Sequence, residues 1–148
     1  MKTHWIMGAA FSAVAILGSS TMLYAQSAMR SVWDGVYSSA QADRGKVAYS
    51  NSCGKCHSET LDGNDEVPGL KGSHFMADWE TQSVADLVGR VHSTMPMDSP
   101  GALSTATVTD VVAYLLQQNE MPTGSTELSA DPGMASLIRI DAVKPDSK

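Results

Sequence analysis

Residues 53–57 read Cys53-Gly54-Lys55-Cys56-His57, and this stretch decides how the rest of the chain is interpreted. The chain has two cysteines, and both lie here. Thiols with this spacing lie about one helical turn apart, so each can add to one vinyl group of a haem. The histidine that follows can place its imidazole under the iron. The pattern therefore predicts one covalent haem c, attached through thioethers to Cys53 and Cys56 and ligated by His57.

Two other chemistries also use closely spaced cysteines. The Cys-Gly-Lys-Cys stretch resembles the redox pair of thioredoxins, but the βαβ pattern of that fold is missing around it. A zinc site would have to combine Cys53 and Cys56 with His74 and His92, and their spacing is not that of a zinc finger. Haem attachment is the favoured interpretation, because it explains both cysteines and the histidine together.

The first residues of the chain indicate export. Lys2 supplies a positive charge, and the stretch from Trp5 to Leu17 is apolar except for Ser12. A run of this length suits the core of a signal peptide and is short for a membrane span. We therefore expect residues 1–27 to be a signal peptide, cleaved between residues 25 and 28, and the product to be periplasmic. An uncleaved segment that anchors the protein in a membrane is the alternative.

Length and charge narrow the function further. The 148 residues suit one domain, and the formal net charge of −6 argues against a nucleic-acid partner. The acidic side chains Glu59, Asp62, Asp65 and Glu66 follow the cysteine motif, and no ring of lysines is evident near it. We therefore expect docking that is not led by a basic patch, and a partner with a basic face.

Three segments have the periodicity of amphipathic helices. The first covers residues 40–51 and leads into the cysteine motif, the second covers residues 83–93, and the third runs from residue 104 or 107 to about 119. Loops rich in glycine and proline separate them, and no convincing strand pair is visible. Short helices with long loops bury a poor core by themselves. A large apolar cofactor is therefore expected at the centre of the fold.

A second iron ligand should come from a residue after the second helix. Met95 is the first candidate, because Pro96 favours an extended backbone at the preceding residue and a loop can then present the thioether. Ligation by histidine and methionine is typical of an electron-transfer haem. Met97 and His92 are alternatives, and so is an iron with no second protein ligand.

Two further residues each have two interpretations. The carbonyl of Pro68 is expected to accept a hydrogen bond from the second ring nitrogen of His57, or else Pro68 is an ordinary loop proline. The indole of Trp79 is expected to donate to a haem propionate, or else it is a buried aromatic with another partner.

The chain resembles the class I c-type cytochromes over about Gln41 to Asn119. In that family the first and last helices cross through a glycine and aromatic side chains, and the positions matching them are Gly45, Tyr49 and Tyr114. The family's axial methionine falls on Met95. The resemblance rests on these residues together with Cys53-Gly54-Lys55-Cys56-His57, Val67-Pro68-Gly69-Leu70, Thr94-Met95-Pro96 and Asp110-Val111-Val112-Ala113-Tyr114-Leu115.

This resemblance implies an all-α fold, with three to four short helices and long loops around one covalent haem. It also implies a division of the chain into a signal peptide (1–27), a lead-in segment (28–39), a cytochrome c domain (40–119) and a C-terminal extension (120–148).

A narrower resemblance concerns the partner. Trp33-Asp34-Gly35-Val36-Tyr37, Phe75, Trp79 and Pro100-Gly101-Ala102-Leu103-Ser104 are similar to small periplasmic cytochromes. Those cytochromes are in turn similar to cytochrome domains associated with PQQ-dependent alcohol dehydrogenases. The resemblance implies a dehydrogenase of that type as electron donor.

The expected function is that of a periplasmic protein that carries one electron and catalyses no reaction of its own. One alternative is an obligate cytochrome subunit of a PQQ-type dehydrogenase complex. Another is an open-site haem enzyme or gas sensor, although the sequence places no evident catalytic base beside the iron.

Overall fold

The computed structural model describes residues 29–145 of the chain. The predicted signal peptide, residues 1–27, lies outside the described residues. Within residues 29–145, none of the helices has both the length and the apolar character that a membrane span requires.

The described chain is mainly helical, as predicted. Two short strands, β1 and β2, pair in parallel, with Arg30 opposite Ile138 and Ser31 opposite Arg139. The prediction that there is no strand pair was therefore wrong. Each strand has only two residues, which is too short to show the alternation of apolar and polar residues by which a strand is recognised in a sequence. The elements are β1 (Arg30–Ser31), a 3-10 turn (Val32–Asp34), α1 (Ser39–Ser52), α2 (Gly54–His57), α3 (Gly72–Trp79), α4 (Val84–Thr94), α5 (Thr105–Gln118), α6 (Pro132–Ala135) and β2 (Ile138–Arg139).

Serine caps explain where the three predicted helices begin. The hydroxyls of Ser38, Ser83 and Ser104 each accept a hydrogen bond from a backbone N–H three residues further along, which satisfies a donor that the helix cannot satisfy itself. The helices α1, α4 and α5 are thus confirmed to within about two residues at each end. Helix α3 and the single-turn helices α2 and α6 were not predicted from the sequence. The residue before α3, Lys71, makes no side-chain cap, so no serine or aspartate marks this start.

The helices α1 and α5 form the most extensive contact between elements. Gly45 lies against the backbone of Asp110, and a Cβ built on it would come within 1.8 Å of the Asp110 carbonyl oxygen. The rings of Tyr49 and Tyr114 pack beside this contact with their centroids 5.4 Å apart and their planes tilted by 55°. The three positions expected to form the helix crossing therefore meet there.

The two ends of the described chain contribute to the same core. Val32 and Tyr37 before α1 are fully buried, and Ile138 and Ile140 near the other end are also buried. The backbone of Ile140 exchanges hydrogen bonds of 2.8 Å with Thr81 and Gln82, just before α4. The lead-in and the C-terminal segment therefore pack on the helices and supply apolar side chains that the three predicted helices lack.

Candidate haem site

The cysteine motif lies where α1 ends and the single turn α2 follows. The carbonyl of Cys53 accepts hydrogen bonds from the backbone N–H groups of both Cys56 and His57, each at 3.0 Å. These two hydrogen bonds close one turn of the backbone, so Cys53, Cys56 and His57 belong to the same turn. Both thiols are free; Cys53 is half-buried and Cys56 is exposed.

The imidazole of His57 is buried and held by a backbone carbonyl. Its Nδ1 lies 2.9 Å from the carbonyl oxygen of Pro68. A carbonyl oxygen only accepts hydrogen bonds, so Nδ1 is the donor, and in the neutral ring the lone pair that a metal can bind is then on Nε2. The predicted contact between His57 and Pro68 is confirmed, and Pro68 is more than an ordinary loop proline.

The loop that carries Pro68 folds back on the residues after His57. The N–H of Gly63 donates to the His57 carbonyl at 3.1 Å, and the N–H of Leu70 donates to the Leu61 carbonyl at 2.8 Å. Gly63 has a φ of +68°, and a Cβ there would come within 2.2 Å of the Val67 carbonyl oxygen. Glycine is required at this position, because a side chain would collide with residues 67–69, the loop segment that contains the Pro68 carbonyl.

Tyr49 has a polar contact besides its packing against Tyr114. Its hydroxyl donates to the carbonyl of Ser58 at 2.8 Å. Ser58 follows His57 directly and has a φ of 64° and a ψ of 156°, a positive-φ conformation that is uncommon for serine. Burial raises the pKa of Tyr49, so the hydroxyl keeps its proton and remains a donor.

Met95 comes from a different part of the fold, the end of α4. It ends that helix with an extended backbone (φ −124°, ψ 151°), which agrees with the conformation expected before Pro96. Its side chain is half-buried. Met97, the alternative two residues further along, is 80% exposed.

The remaining candidates have other surroundings. His92 lines a cavity of about 210 Å³ together with Ser129, Ala130 and Pro132, and no residue lining this cavity comes from residues 53–72. His74 is exposed on α3. Trp79 is half-buried at the end of α3, beside a polar cavity that is also lined by Gln82, Asp86 and Arg90.

The alternative chemistries of the cysteines find no support in this geometry. Burial, followed by the neighbouring Cys56, raises the pKa of the Cys53 thiol to about 11. The reactive cysteine of a thioredoxin-like centre has a lowered pKa instead. Within residues 29–145, no three His, Cys, Asp or Glu side chains lie close enough together to hold a metal ion, so Cys53, Cys56, His74 and His92 do not form a zinc site.

Two buried amide side chains, Asn119 and Gln41, were not predicted from the sequence. Asn119, at the end of α5, bonds to three backbone groups, two of them at Leu70 and Gly72, where the loop after Pro68 leads into α3. Gln41, in α1, bonds to the backbone N–H and carbonyl of Leu128. An asparagine just after a helical pattern is a known end signal, but its partners in a distant loop leave no mark in the sequence.

Residues 40–115 match the family described as cytochrome c oxidase, cbb3-type, subunit III, which is just over half of the chain. The chain belongs to this family, and so to the class I c-type cytochromes. No curated protein and no solved structure is similar enough to the chain to count as a match.

A cytochrome c domain implies a covalently bound haem c and electron transfer to and from partner proteins. The donor set of this chain fits such a group. Cys53 and Cys56 are unpaired thiols within one turn, and the imidazole beside them has its Nε2 left for iron. These residues would hold the haem, and the structure fixes the tautomer of the histidine without it.

Proposed function

We propose that the protein is a periplasmic carrier of single electrons, with one haem c joined by two thioethers to Cys53 and Cys56 and ligated by His57 and Met95. The observation that carries this proposal is the contact between His57 Nδ1 and the Pro68 carbonyl. It leaves the other ring nitrogen, in the residue directly after the second free thiol, available to bind a metal, which supports the proposal.

The proposed ligand pair determines what the centre does. When bound, the haem supplies an iron that changes between the ferric and ferrous states. An imidazole and a thioether together are typical of electron-transfer haems, since the neutral, soft sulfur favours ferrous iron. Met95 is favoured over Met97 because it is half-buried at a helix end, whereas Met97 projects into solvent.

A dehydrogenase is the proposed electron donor, and one that uses PQQ agrees best with the sequence resemblance. The side chains of Glu59, Asp62, Asp65 and Glu66 are all exposed on the loop that follows the haem motif. Lys71 forms an ion pair of 3.0 Å with Asp62 and so offsets part of this charge. A partner with basic residues around its electron-donating redox centre would complement this acidic surface.

An obligate subunit of a larger redox complex is the second candidate. The family that the chain matches is described as a subunit of an oxidase, which favours this possibility over an open-site enzyme. The two candidates differ in behaviour. A free carrier exchanges electrons rapidly as a purified monomer, whereas an obligate subunit does so only after docking.

A redox titration of the purified protein tests the proposed function. We expect one transition that fits a single electron, a low-spin spectrum in both states, and no binding of carbon monoxide by the ferrous protein. Rapid carbon monoxide binding would instead indicate an open iron position and an enzyme or gas sensor. Electron uptake only in the presence of a tightly bound partner would favour the obligate subunit.

The proposed periplasmic location rests on residues 1–27 of the sequence. We expect the mature protein in the periplasmic fraction, with its N-terminus between residues 25 and 28. N-terminal sequencing that starts at Met1, with the protein in the membrane fraction, would show that the segment is an anchor.

A further inference from the structure

The side chain of Asn119 joins the end of α5 to the loop that approaches His57. Asn119 is 9% exposed. Its Oδ1 accepts a hydrogen bond from the N–H of Gly72 at 2.8 Å, and its Nδ2 donates to the carbonyl of Leu70 at 3.1 Å. The same Nδ2 donates to the carbonyl of Leu115, one turn back in α5, at 2.8 Å. One buried amide therefore fixes residues 70–72 to a helix.

This attachment is two residues away from the carbonyl that holds the histidine. Leu70 is bound on both sides of its backbone, by its N–H to the Leu61 carbonyl and by its carbonyl to Asn119. Between Pro68 and Leu70 lies Gly69, which is buried so tightly that a Cβ on it would come within 2.9 Å of the Asp62 carbonyl oxygen. The segment has little room to adjust, so a displacement of Leu70 passes to Pro68.

We propose that Asn119 is a positioning residue for His57, acting through Leu70 and the Pro68 carbonyl. This inference rests on the proposed function, because its consequence appears at a haem iron bound by His57. Donation from Nδ1 to a carbonyl makes the imidazole a stronger donor to the metal. A stronger donor favours ferric iron and lowers the reduction potential. Asn119 thereby links the end of α5 to the potential of the centre.

An asparagine suits this role for a chemical reason. The site needs one acceptor for the Gly72 N–H and two donated bonds for the carbonyls of Leu70 and Leu115. A side-chain amide supplies both, whereas a hydroxyl has one donor and an aliphatic side chain has none. Removal of the amide would take this partner from the Gly72 N–H and the Leu70 carbonyl, both in part-buried hydrogen bonds, whereas the Leu115 carbonyl would still accept from the Asn119 N–H.

The test compares Asn119→Ala with Gln41→Ala. Gln41 is a matched control, because it is also a buried amide, and it bonds to the backbone of Leu128 at 3.0 and 2.7 Å, outside the haem loop. Two quantities are measured in the haem-loaded protein. One is the midpoint reduction potential, and the other is the rate at which the His57 Nδ1 proton exchanges with solvent, followed by NMR in the ferrous state.

We expect Asn119→Ala to raise the midpoint potential and to speed proton exchange by about fivefold to tenfold, the factor that corresponds to a loss of about one hydrogen bond. Gln41→Ala should lower stability to a similar degree and leave both quantities as in the parent protein. Equal shifts in both variants, or a parent-like potential and exchange rate in Asn119→Ala, would overturn the inference. If Asn119→Ala does not fold, Asn119→Ser is measured in its place, with the same expected and contradicting results.

Measurements on the parent protein distinguish a failure of the positioning role from a failure of the proposed function. If the parent carries no covalent haem, the proposed function has failed. If the parent behaves as a low-spin cytochrome and the potential of the Asn119 variant is unchanged, only the positioning role has failed.

Discussion

Gly45 of α1 and Asp110 of α5 touch backbone to backbone. The Asp110 carbonyl oxygen lies where a Cβ of residue 45 would be, at 1.8 Å. Next to this contact the guanidinium of Arg44 binds both carboxylate oxygens of Asp110, at 2.9 and 3.1 Å. The ion pair is partly exposed, so it adds little to the stability of the helix contact. The close approach of the two helices depends instead on the absence of a side chain at Gly45.

Gly45→Ala should therefore destabilise the protein although alanine is the better helix former. Moving the two helices apart costs about 1–3 kcal/mol, which outweighs the gain of up to about 1 kcal/mol in helix propensity. Gly89→Ala is the control, because Gly89 is exposed in α4 and a Cβ there meets nothing within 4 Å. Chemical denaturation should show a loss for Gly45→Ala and a small gain for Gly89→Ala. A gain in both would show that the helices do not need this close approach.

The start of α4 should make stability depend on acid pH. Hydrogen bonds from the Ser83 hydroxyl and backbone N–H lower the pKa of the Asp86 carboxyl. A carboxyl with a lowered folded-state pKa contributes stability above its unfolded pKa of about 3.9, and this contribution is lost as the pH falls through the folded-state pKa. Asp86→Asn should lose less stability than the parent between neutral pH and about pH 3. Asp65→Asn, an exposed loop carboxyl, is the control and should follow the parent curve.

The cap itself should be measurable at neutral pH. Ser83→Ala removes the acceptor for the Asp86 N–H and should cost about 1 kcal/mol in the free energy of unfolding. An unchanged free energy of unfolding would show that the cap contributes nothing to α4, and hence nothing to the placement of Met95 at its end.

Met95 should govern the spectrum and Met97 should not. Axial ligands move haem potentials over about 0.8 V, so replacing a neutral thioether by an imidazole in Met95→His should lower the potential measurably. Met95→Ala should open the iron to carbon monoxide and give a high-spin or water-bound ferric form. Met97→Ala should leave the absorption band of methionine bound to ferric iron in place, since that side chain is 80% exposed. The opposite result for the two alanine variants would assign the ligand to Met97.

The acidic loop should affect docking. Glu59→Gln combined with Glu66→Gln removes two exposed charges after the haem motif, and we expect slower electron transfer with a basic partner. The parent rate should fall as salt is added, because the attraction is screened. A steep fall with salt in the reaction with an acidic partner would contradict this account of the surface.

The sequence predicted the parts of the fold that depend on local pattern. Apolar spacing at helical periodicity predicted α1, α4 and α5, and Pro96 predicted the extended backbone of Met95. The contact of His57 with Pro68 was also predicted, since a ligating histidine needs a partner for its second nitrogen. The helices and the extended backbone of Met95 depend on neighbouring residues, and the contact of His57 with Pro68 joins residues 11 positions apart.

Contacts between distant segments could not be predicted in the same way. The pairing of β1 with β2 joins residues more than a hundred positions apart and involves two residues on each side. Asn119 and Gln41 were unmarked, because a buried amide is recognised by its partners in space rather than by its neighbours in sequence. The burial of Val32 and Ile140 was missed for the same reason.

Covalent attachment of the haem is the central claim, and the haem that remains with the denatured protein tests it most directly. Protein from the periplasmic fraction is denatured, extracted with acidic acetone and examined by gel and by intact mass. We expect one haem to remain on each parent chain, and none to remain when Cys53 and Cys56 are both replaced by alanine. Haem that is extracted completely from the parent protein would contradict the account.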